Sequence, residues 1–404
     1  MNKQMLYLYA CAIHGTEPKA GDYDIKAIYQ DAVKLAVWHI IYPVADKVAA
    51  IPEQLKAKYK LDIIHDVYRT NFVHNTICEL EKAGVECIVL KGETLKELYF
   101  KPDNRLSGDT DLYVGKEKLK QAIAVMESLG YEVEPYQNGG WDHHRVCTHK
   151  VGGIVELHTG LYDEDYDEIW FSGVDVDLST TRKIMCADGT EISALSYDDG
   201  LLYTAIHLIK HFLGKGIGIR HFSDVLLYIN KHRNEIDLDK FVNSLKNNKF
   251  YKLFNMCVKV GIKYLGFDAE LFKPYFEVSI NQNDEQIIAK IMKDIFNGGA
   301  FGKDNETDFI AILNQKKLGE KYNKHNKKKQ IKRFAGLFSY GYMLSSYPWL
   351  KKYPFLLPVA WVKKICMYIF KPDKSVTVAI EGKTIQTNDK IDERIEFMKE
   401  LDVI

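Results

Sequence analysis

The sequence predicts an α+β protein, with a small mixed β-sheet core, helices before it and a helical domain after it. Apolar residues recur at helical spacing before residue 85 and again after residue 195. Between these parts, short apolar stretches alternate with turn-forming glycines, as expected for the strands of a sheet. Two carboxylates at alternate positions, Asp109 and Asp111, mark the start of one strand. Together these observations predict the fold class and direct attention to the sheet.

The N-terminal helical segment is expected to span residues 1–84. Its second half, residues 55–84, carries apolar side chains at helical spacing, and a helix is also expected over residues 23–50. Gly84 is expected to end the segment, because glycine readily adopts the left-handed backbone conformation that closes a helix.

The predicted sheet begins with a strand at residues 86–91. Its continuous apolar run is typical of a strand that is covered on both faces. An amphipathic helix is expected at residues 116–129, after the strand that carries the two aspartates. The remaining strands are predicted at residues 131–134, 142–149 and 154–158, with Gly152 and Gly153 forming the turn before the last one.

The rest of the chain is predicted to be mostly helical. Residues 168–195 indicate a β-rich insertion, and from Ser196 helices are expected as far as about residue 296. A hairpin is expected at residues 375–387 and a last helix at 390–401. We therefore expect an N-terminal segment at 1–84, a sheet core with its insertion at 85–195, a helical domain at 196–300, and a basic linker with a C-terminal region at 301–404.

Composition excludes several classes of protein. The 404 residues contain 55 Lys+Arg and 55 Asp+Glu, so no overall positive field attracts nucleic acid. The seven cysteines are scattered and form no C-x-x-C motif, which favours reduced thiols in a cytoplasmic protein over a disulfide framework or a structural zinc. No apolar run reaches the length of about 18 residues that a transmembrane helix needs.

The Asp109-Thr-Asp111 motif predicts a metal site. Because side chains alternate along a strand, Asp109 and Asp111 point to the same face. Two carboxylates held side by side repel each other unless a cation lies between them. A pair of divalent cations removes this repulsion and supplies the electrostatic clamp of phosphoryl and nucleotidyl transfer.

Several spaced motifs in residues 85–160 carry a family resemblance. Leu90-Lys-Gly92 is followed by the aspartate motif and then by Val155-Glu-Leu-His158. This order resembles the uncharacterised nucleotidyltransferases of the DNA polymerase beta superfamily, which place a glycine turn on one strand, an Asp-x-Asp on the next and a third carboxylate on a later strand. Many members have Gly-Ser at the turn, where this chain has Gly92-Glu93.

The resemblance implies a metal-dependent transferase. Asp109, Asp111 and Glu156 are its expected catalytic and metal-binding residues, with two Mg²⁺ ions, or Mn²⁺, as the cofactor. The expected substrates are an NTP, ATP first, and an acceptor that the sequence does not identify. The expected products are a nucleotidylated acceptor and pyrophosphate.

Four residues are expected to bind the nucleotide: Lys91, Gly92, Arg105 and Arg220. Gly92 allows close approach of the backbone, and the short helix after it offers N–H groups to phosphate. Each also has a structural explanation. Lys91 could cap a strand edge, Arg105 could pair with Asp103 or Asp109, and Arg220 could form a helical i,i+4 ion pair with Asp224.

Other functions stay open at this stage. An Asp-x-Asp motif also serves glycosyltransferases that use a nucleotide sugar, although the preceding residues are mostly helical rather than Rossmann-like. Glu93 in place of serine is compatible with a catalytically degenerate module that binds nucleotide and regulates. A zinc site made by His143, His144 and His158 is not favoured, since neighbouring strand residues face opposite ways. The basic run at 316–333 is better explained as a solvated surface than as a contact for nucleic acid or membrane.

Overall fold

The computed structural model describes residues 1–134, 144–161, 170–171, 173–213, 217–298, 343, 347–370 and 396–403. The basic run at 316–333, the hairpin expected at 375–387 and His143 lie outside these residues. Of the expected last helix, residues 396–400 are described, and they are helical.

Seven strands form one mixed sheet at the centre of the fold. They are β1 (Ile88–Val89), β2 (Asp109–Tyr113), β3 (Glu132–Val133), β4 (His144–His149), β5 (Gly153–His158), β6 (Thr181–Met185) and β7 (Glu191–Leu195). Their order across the sheet is β3-β4-β5-β2-β1-β7-β6. The pairs β5/β2 and β1/β7 are parallel and the other pairs are antiparallel, which confirms the predicted mixed sheet.

Helices precede and follow the sheet. Those before or within it are α1 (Lys3–His14), α2 (Ile25–Lys34), α3 (Trp38–Val48), α4 (Glu53–Lys82), α5 (Glu93–Lys96) and α6 (Gly115–Ser128). Those after it are α7 (Tyr197–Leu213), α8 (Ile219–His232), α9 (Leu238–Asn247), α10 (Tyr251–Tyr264), α11 (Ala269–Phe272), α12 (Gln282–Gly298) and α13 (Leu357–Phe370). Within the described residues, no helix has both the length and the apolar character needed to cross a membrane.

One face of the sheet is apolar and packs on helices α4 and α6. Its buried side chains alternate along β2 and β5, so Leu112, Val155 and Leu157 point to this face. They contact a cluster that includes Ile77 of α4 and Met126 of α6. Strand alternation therefore turns the polar residues of β2 and β5 to the opposite face.

A second, larger core joins the two ends of the described chain. Met5, Leu8 and Tyr9 of α1 are fully buried in the same apolar cluster as Phe222 and Leu226 of α8. The N-terminal helices thus pack directly on the helices that follow the sheet, and they do so through the larger of the two apolar clusters.

Two local predictions need correction. The helix expected over 23–50 is interrupted, because Ala36 has a φ of 53° and ends α2 before α3 begins. The expected β-rich insertion at 168–195 is part of the central sheet. Its strand β7 lies parallel to β1, with Ala194 opposite Val89, so the carboxylate strands lie inside the sheet rather than at its edge.

Candidate active site

The polar face of the sheet brings the three predicted carboxylates together. Strands β2 and β5 are parallel and in register, with Asp111 directly opposite Glu156 and Asp109 opposite Ile154. Paired residues of neighbouring strands point to the same face, so Asp109, Asp111 and Glu156 share one surface. Their exposure is graded: the side chain of Asp111 is 2% exposed, Glu156 23% and Asp109 35%. Asp111 therefore lies at the buried end of this group of carboxylates, and Asp109 lies at its most exposed end.

Lys91 lies within this group of carboxylates. Its Nζ is 3.2 Å from Oδ2 of Asp109 and 3.0 Å from Oδ2 of Asp111. Burial alone would lower the pKa of Lys91, but the neighbouring carboxylates, Asp111 foremost, outweigh burial and raise that pKa above its ordinary value. Lys91 is therefore an ammonium ion that offsets the repulsion between the two aspartates.

His158 supplies a second positive charge on the same face. Its Nε2 lies 3.6 Å from Oδ1 of Asp111 and 3.4 Å from Oε2 of Glu156. Burial opposes protonation, but the contacts with these two carboxylates raise the pKa of His158 to about 9. In turn, although burial acts the other way, Lys91 and His158 hold the pKa of Asp111 well below its usual range, and contact with His158 lowers that of Glu156. Asp111 and Glu156 are therefore ionised at neutral pH.

The carboxylate group fits a divalent cation. Lys91 and His158 bring two positive charges against three carboxylates, which leaves an excess negative charge. The buried Oδ1 of Asp111 has no hydrogen-bond partner among the described residues, which is costly for a carboxylate oxygen. The carboxylate oxygens of Asp111 and Glu156 also lie within 4.8 Å of each other. Carboxylate oxygens are the ligands that Mg²⁺ prefers, so the residues suit the metal that the sequence predicts.

Helix α7 forms a wall opposite the carboxylates. Its residues Tyr203, His207 and Lys210 line a cavity of about 70 Å³ together with Lys91, Asp111, Glu156, His144 and His158. His207 lies beside His211 and His221 of α8, with ring centroids 4.5 and 5.6 Å away. Burial lowers the pKa of His207 well below its usual value and that of His221 to about 3. The uncharged imidazole of His207 therefore faces charged residues across the cavity.

Gly92 forms the turn between β1 and α5. Its φ of 91° and ψ of −102° are strained for any residue with a side chain, which explains the glycine. A Cβ there would meet no atom closer than 3.6 Å, so the restriction comes from backbone conformation and not from space. Helix α5 has only four residues, and its dipole contributes little to any binding of phosphate.

Arg105 occupies a buried ion pair. Its Nε and one terminal nitrogen donate to the two oxygens of Asp224 at 2.9 and 2.7 Å, and Tyr99 donates to the same carboxylate at 2.7 Å. Arg105 is only 4% exposed. The structure therefore favours a structural role for Arg105, tying the loop before β2 to α8, over the predicted contact with phosphate. The predicted pairing with Asp103 or Asp109 is replaced by Asp224.

Arg220 is also placed differently from the prediction. Asp224, its expected i,i+4 partner, binds Arg105, and Arg220 donates to the backbone carbonyl of Ala36 at 3.4 Å. That carbonyl lies at the break between α2 and α3. Arg220 thus connects α8 with the N-terminal helices, which favours a structural role over nucleotide binding.

Sequence reasoning missed several residues of the site. The alternation in β5 places His158 on the face of Glu156, and this signal could have identified His158 as the positive partner of the carboxylates. Tyr203 and His221 carried no such signal, because their helices follow the sheet in sequence and only the folded chain brings them to it.

Comparison with known proteins adds one finding. A family model described as an uncharacterised nucleotidyltransferase matches residues 27–260, more than half of the chain. The matched segment includes the carboxylate strands, the Gly92 turn and the wall formed by α7 and α8. No curated protein and no solved structure matched.

Proposed function

The chain belongs to the uncharacterised nucleotidyltransferase family, and on that basis we propose that it transfers a nucleoside monophosphate from an NTP to an acceptor. ATP is the first candidate donor, and pyrophosphate is the second product. The single observation that carries this proposal is the in-register placement of Asp111 opposite Glu156, with Asp109 on the same face. That arrangement concentrates carboxylates where a nucleotide bound with cations needs them.

Three side chains would hold the cofactor. Asp109, Asp111 and Glu156 would bind two divalent cations, Mg²⁺ or Mn²⁺, which when bound neutralise the triphosphate and the departing pyrophosphate. Lys91 and His158 keep Asp111 and Glu156 ionised, and Lys91 also contacts Asp109. The site is thereby preorganised, since the charged groups need little rearrangement to receive substrate.

In the proposed transfer step, one bond to phosphorus forms, another breaks, and one proton moves to the protein. The acceptor oxygen forms a bond to the α-phosphorus while the bond from the α-phosphorus to the oxygen that bridges to the β-phosphorus breaks. The proton of the acceptor hydroxyl passes to Glu156, which is ionised and the more exposed partner of the Asp111–Glu156 pair. Lys91 lies at the base of the same cavity, where its ammonium can hold a phosphate oxygen.

The cavity requires some opening before an NTP can enter. Its volume of about 70 Å³ is below the roughly 300–1,000 Å³ of pockets that hold small-molecule ligands. The wall formed by α7 is the element whose movement would enlarge it, because Tyr203, His207 and Lys210 face the sheet across it. We expect nucleotide binding to alter the hydrogen exchange of α7.

Incubation with each α-³²P-labelled NTP, Mg²⁺ and a cell extract tests the proposal. Label that appears on a macromolecule or small molecule identifies both donor and acceptor class. Nucleotide binding without label transfer would point to a degenerate regulatory module. Transfer of sugar from a nucleotide sugar, with no α-phosphate transfer, would point to the glycosyltransferase alternative.

A further inference from the structure

A second group of metal-ligating side chains lies beside the candidate active site. His74 of α4, Cys186 and Asp188 have ligand atoms within 4.8 Å of one another. Cys186 and Asp188 belong to the turn between β6 and β7. The carboxylate of Glu93, directly after the Gly92 turn, lies 3.8 Å from Nε2 of His74. Three separate segments of the chain therefore converge on one imidazole.

The hydrogen bond made by His74 determines which of its ring nitrogens can bind a metal ion. Its Nδ1 lies 2.7 Å from Oδ2 of Asp188, and because a carboxylate only accepts, Nδ1 carries the proton. Nε2 is then the ring nitrogen that would offer a lone pair to a metal ion. Histidine ligands are commonly oriented in this way, by a carboxylate bound to the other ring nitrogen.

The Nε2 atom of His74 lacks a partner. His74 is 3% exposed, and its Nε2 has no hydrogen bond within the described part of the chain. The separation of 3.8 Å from Glu93 Oε2 is too long for a hydrogen bond. It is within the span of two ligands that share one zinc ion, which cannot exceed about 4.2 Å for ligand distances of about 2.1 Å. The unpartnered Nε2 thus faces a carboxylate oxygen at a distance that one zinc ion could bridge after a small adjustment of either side chain.

Two carboxylates lie near the Cys186 thiol. Burial, together with the carboxylates of Glu93 and Asp188, raises the pKa of the Cys186 thiol to about 12. Glu93 Oε1 accepts from Lys96 at 3.1 Å, while its Oε2 faces His74. A thiol, an imidazole and two carboxylates together match the ligand types of Zn²⁺ better than those of Mg²⁺.

His221 of the active-site wall carries its proton on the other ring nitrogen. The backbone N–H of Gly218 donates to Nδ1 of His221 at 3.0 Å, so the neutral ring carries its proton on Nε2. Of the groups that could hold a metal among the described residues, the one around His74 therefore has the ligand chemistry best suited to zinc.

We propose that His74, through Nε2, binds one Zn²⁺ ion together with Cys186 and Glu93, and that Asp188 orients the imidazole through Nδ1. The site links α4, the β6–β7 turn and the residue that follows Gly92. Zinc bound there would hold Glu93, the residue after the Gly92 turn, in place. The zinc site is separate from the carboxylates of β2 and β5. The zinc site would also explain why Glu93 stands at the position where many members of the superfamily that the sequence resembles have serine.

Equilibrium dialysis against Zn²⁺, followed by metal analysis, tests this site. A background that combines Asp109→Asn with Glu156→Gln weakens the binding of the same ion by the carboxylate group on β2 and β5. We expect one zinc per chain, lost in Cys186→Ser and in His74→Gln but kept in Cys78→Ser, a matched control on α4 at another half-buried cysteine. Equal zinc binding by the Cys186→Ser and Cys78→Ser proteins would overturn the proposal.

Cobalt substitution provides a readout of the sulfur ligand. Co²⁺ bound through a thiolate gives a ligand-to-metal charge-transfer band in the near ultraviolet, and we expect that band in the wild-type chain and its loss in Cys186→Ser. Zinc should raise the melting temperature of wild type but not of Cys186→Ser, because binding to the folded state alone stabilises it. Zinc uptake without a cobalt–thiolate band would exclude Cys186 as a ligand.

Discussion

At the residue scale, the balance of charge around Asp111 decides how the candidate site tolerates mutation. The sequence alone suggests that neutralising an aspartate relieves repulsion between like charges. The structure changes this expectation, because Lys91 and His158 already compensate Asp111 at 3.0 and 3.6 Å. Removing the charge of Asp111 leaves two buried cations with fewer partners, which is costly.

Asp111→Asn is therefore expected to lower the free energy of unfolding, by about 3 kcal/mol, the low end for breaking a buried ion pair. Asp109→Asn, at a side chain that is 35% exposed, should cost less than about 1 kcal/mol. Denaturant unfolding of the two variants, without added metal, measures the difference. A more stable Asp111→Asn protein would show that carboxylate repulsion dominates.

The ion pair between Arg105 and Asp224 gives a second prediction at this scale. Arg105→Ala leaves the Asp224 carboxylate buried without its main partner, and we expect a loss of about 3–5 kcal/mol in the free energy of unfolding. Lys273→Ala, which breaks an exposed pair with Glu270, should change stability by less than about 0.5 kcal/mol. Full stability in Arg105→Ala, together with weaker binding of nucleotide, would restore the phosphate contact predicted from sequence.

At the scale of secondary structure elements, strand alternation was the most informative local pattern. It predicted that Asp109 and Asp111 share a face and that Glu156 can join them, because the direction of a strand side chain depends only on its position. The alternation does not specify which strands are neighbours. The placement of β7 beside β1 and the pairing of Arg105 with Asp224, 119 residues away, arise from contacts that no local pattern encodes.

The helical wall gives a prediction about pH. His221 is buried and lies near the positive charges of Arg220 and Lys91, so its pKa in the folded protein falls to about 3, against about 6.5 when unfolded. Between these values the unfolded chain binds a proton that the folded chain does not. His221 therefore makes stability decrease as pH falls below about 6.5, by up to about 1.4 kcal/mol per pH unit.

His221→Gln removes this titration. We expect the variant to be less stable than wild type at pH 7, and the difference to shrink steadily on acidification toward pH 4.5. Chemical denaturation at a series of pH values measures it, and using the difference between the two proteins cancels the titration of other groups. A difference that stays constant across this range would mean that His221 is not held neutral.

At the scale of the whole molecule, the N-terminal helices and the helices after the sheet share one core. Tyr9 of α1 and Ser223 of α8 form a hydrogen bond of 2.5 Å inside it. The division of the sequence into separate N-terminal and C-terminal helical parts stays a prediction, but the shared core indicates that they unfold together.

Leu8→Ala tests this coupling, because Leu8 is fully buried in the shared core. We expect a loss of about 2–5 kcal/mol, together with faster hydrogen exchange in α8 and α10 as well as in α1. Leu61→Ala, at a side chain of α4 that is 55% exposed, serves as the control and should leave exchange unchanged. Faster exchange confined to α1 would show that the N-terminal helices unfold independently.

The central claim is that Asp109, Asp111 and Glu156 act as one group in nucleotidyl transfer. Asp109→Asn tests it most cleanly, because this exposed aspartate contributes less to stability than Asp111. The measurement follows transfer from α-³²P-labelled and γ-³²P-labelled ATP, with Mg²⁺ and the acceptor fraction, in wild type, Asp109→Asn, Glu156→Gln and the exposed control Asp103→Asn.

We predict that wild type and Asp103→Asn transfer the α-label and not the γ-label, and that Asp109→Asn and Glu156→Gln lose transfer by several orders of magnitude while staying folded. Nucleotide binding should survive Glu156→Gln better than Asp109→Asn. Transfer of the α-label at the wild-type rate by folded Asp109→Asn and Glu156→Gln, or transfer of the γ-label alone, would contradict the account.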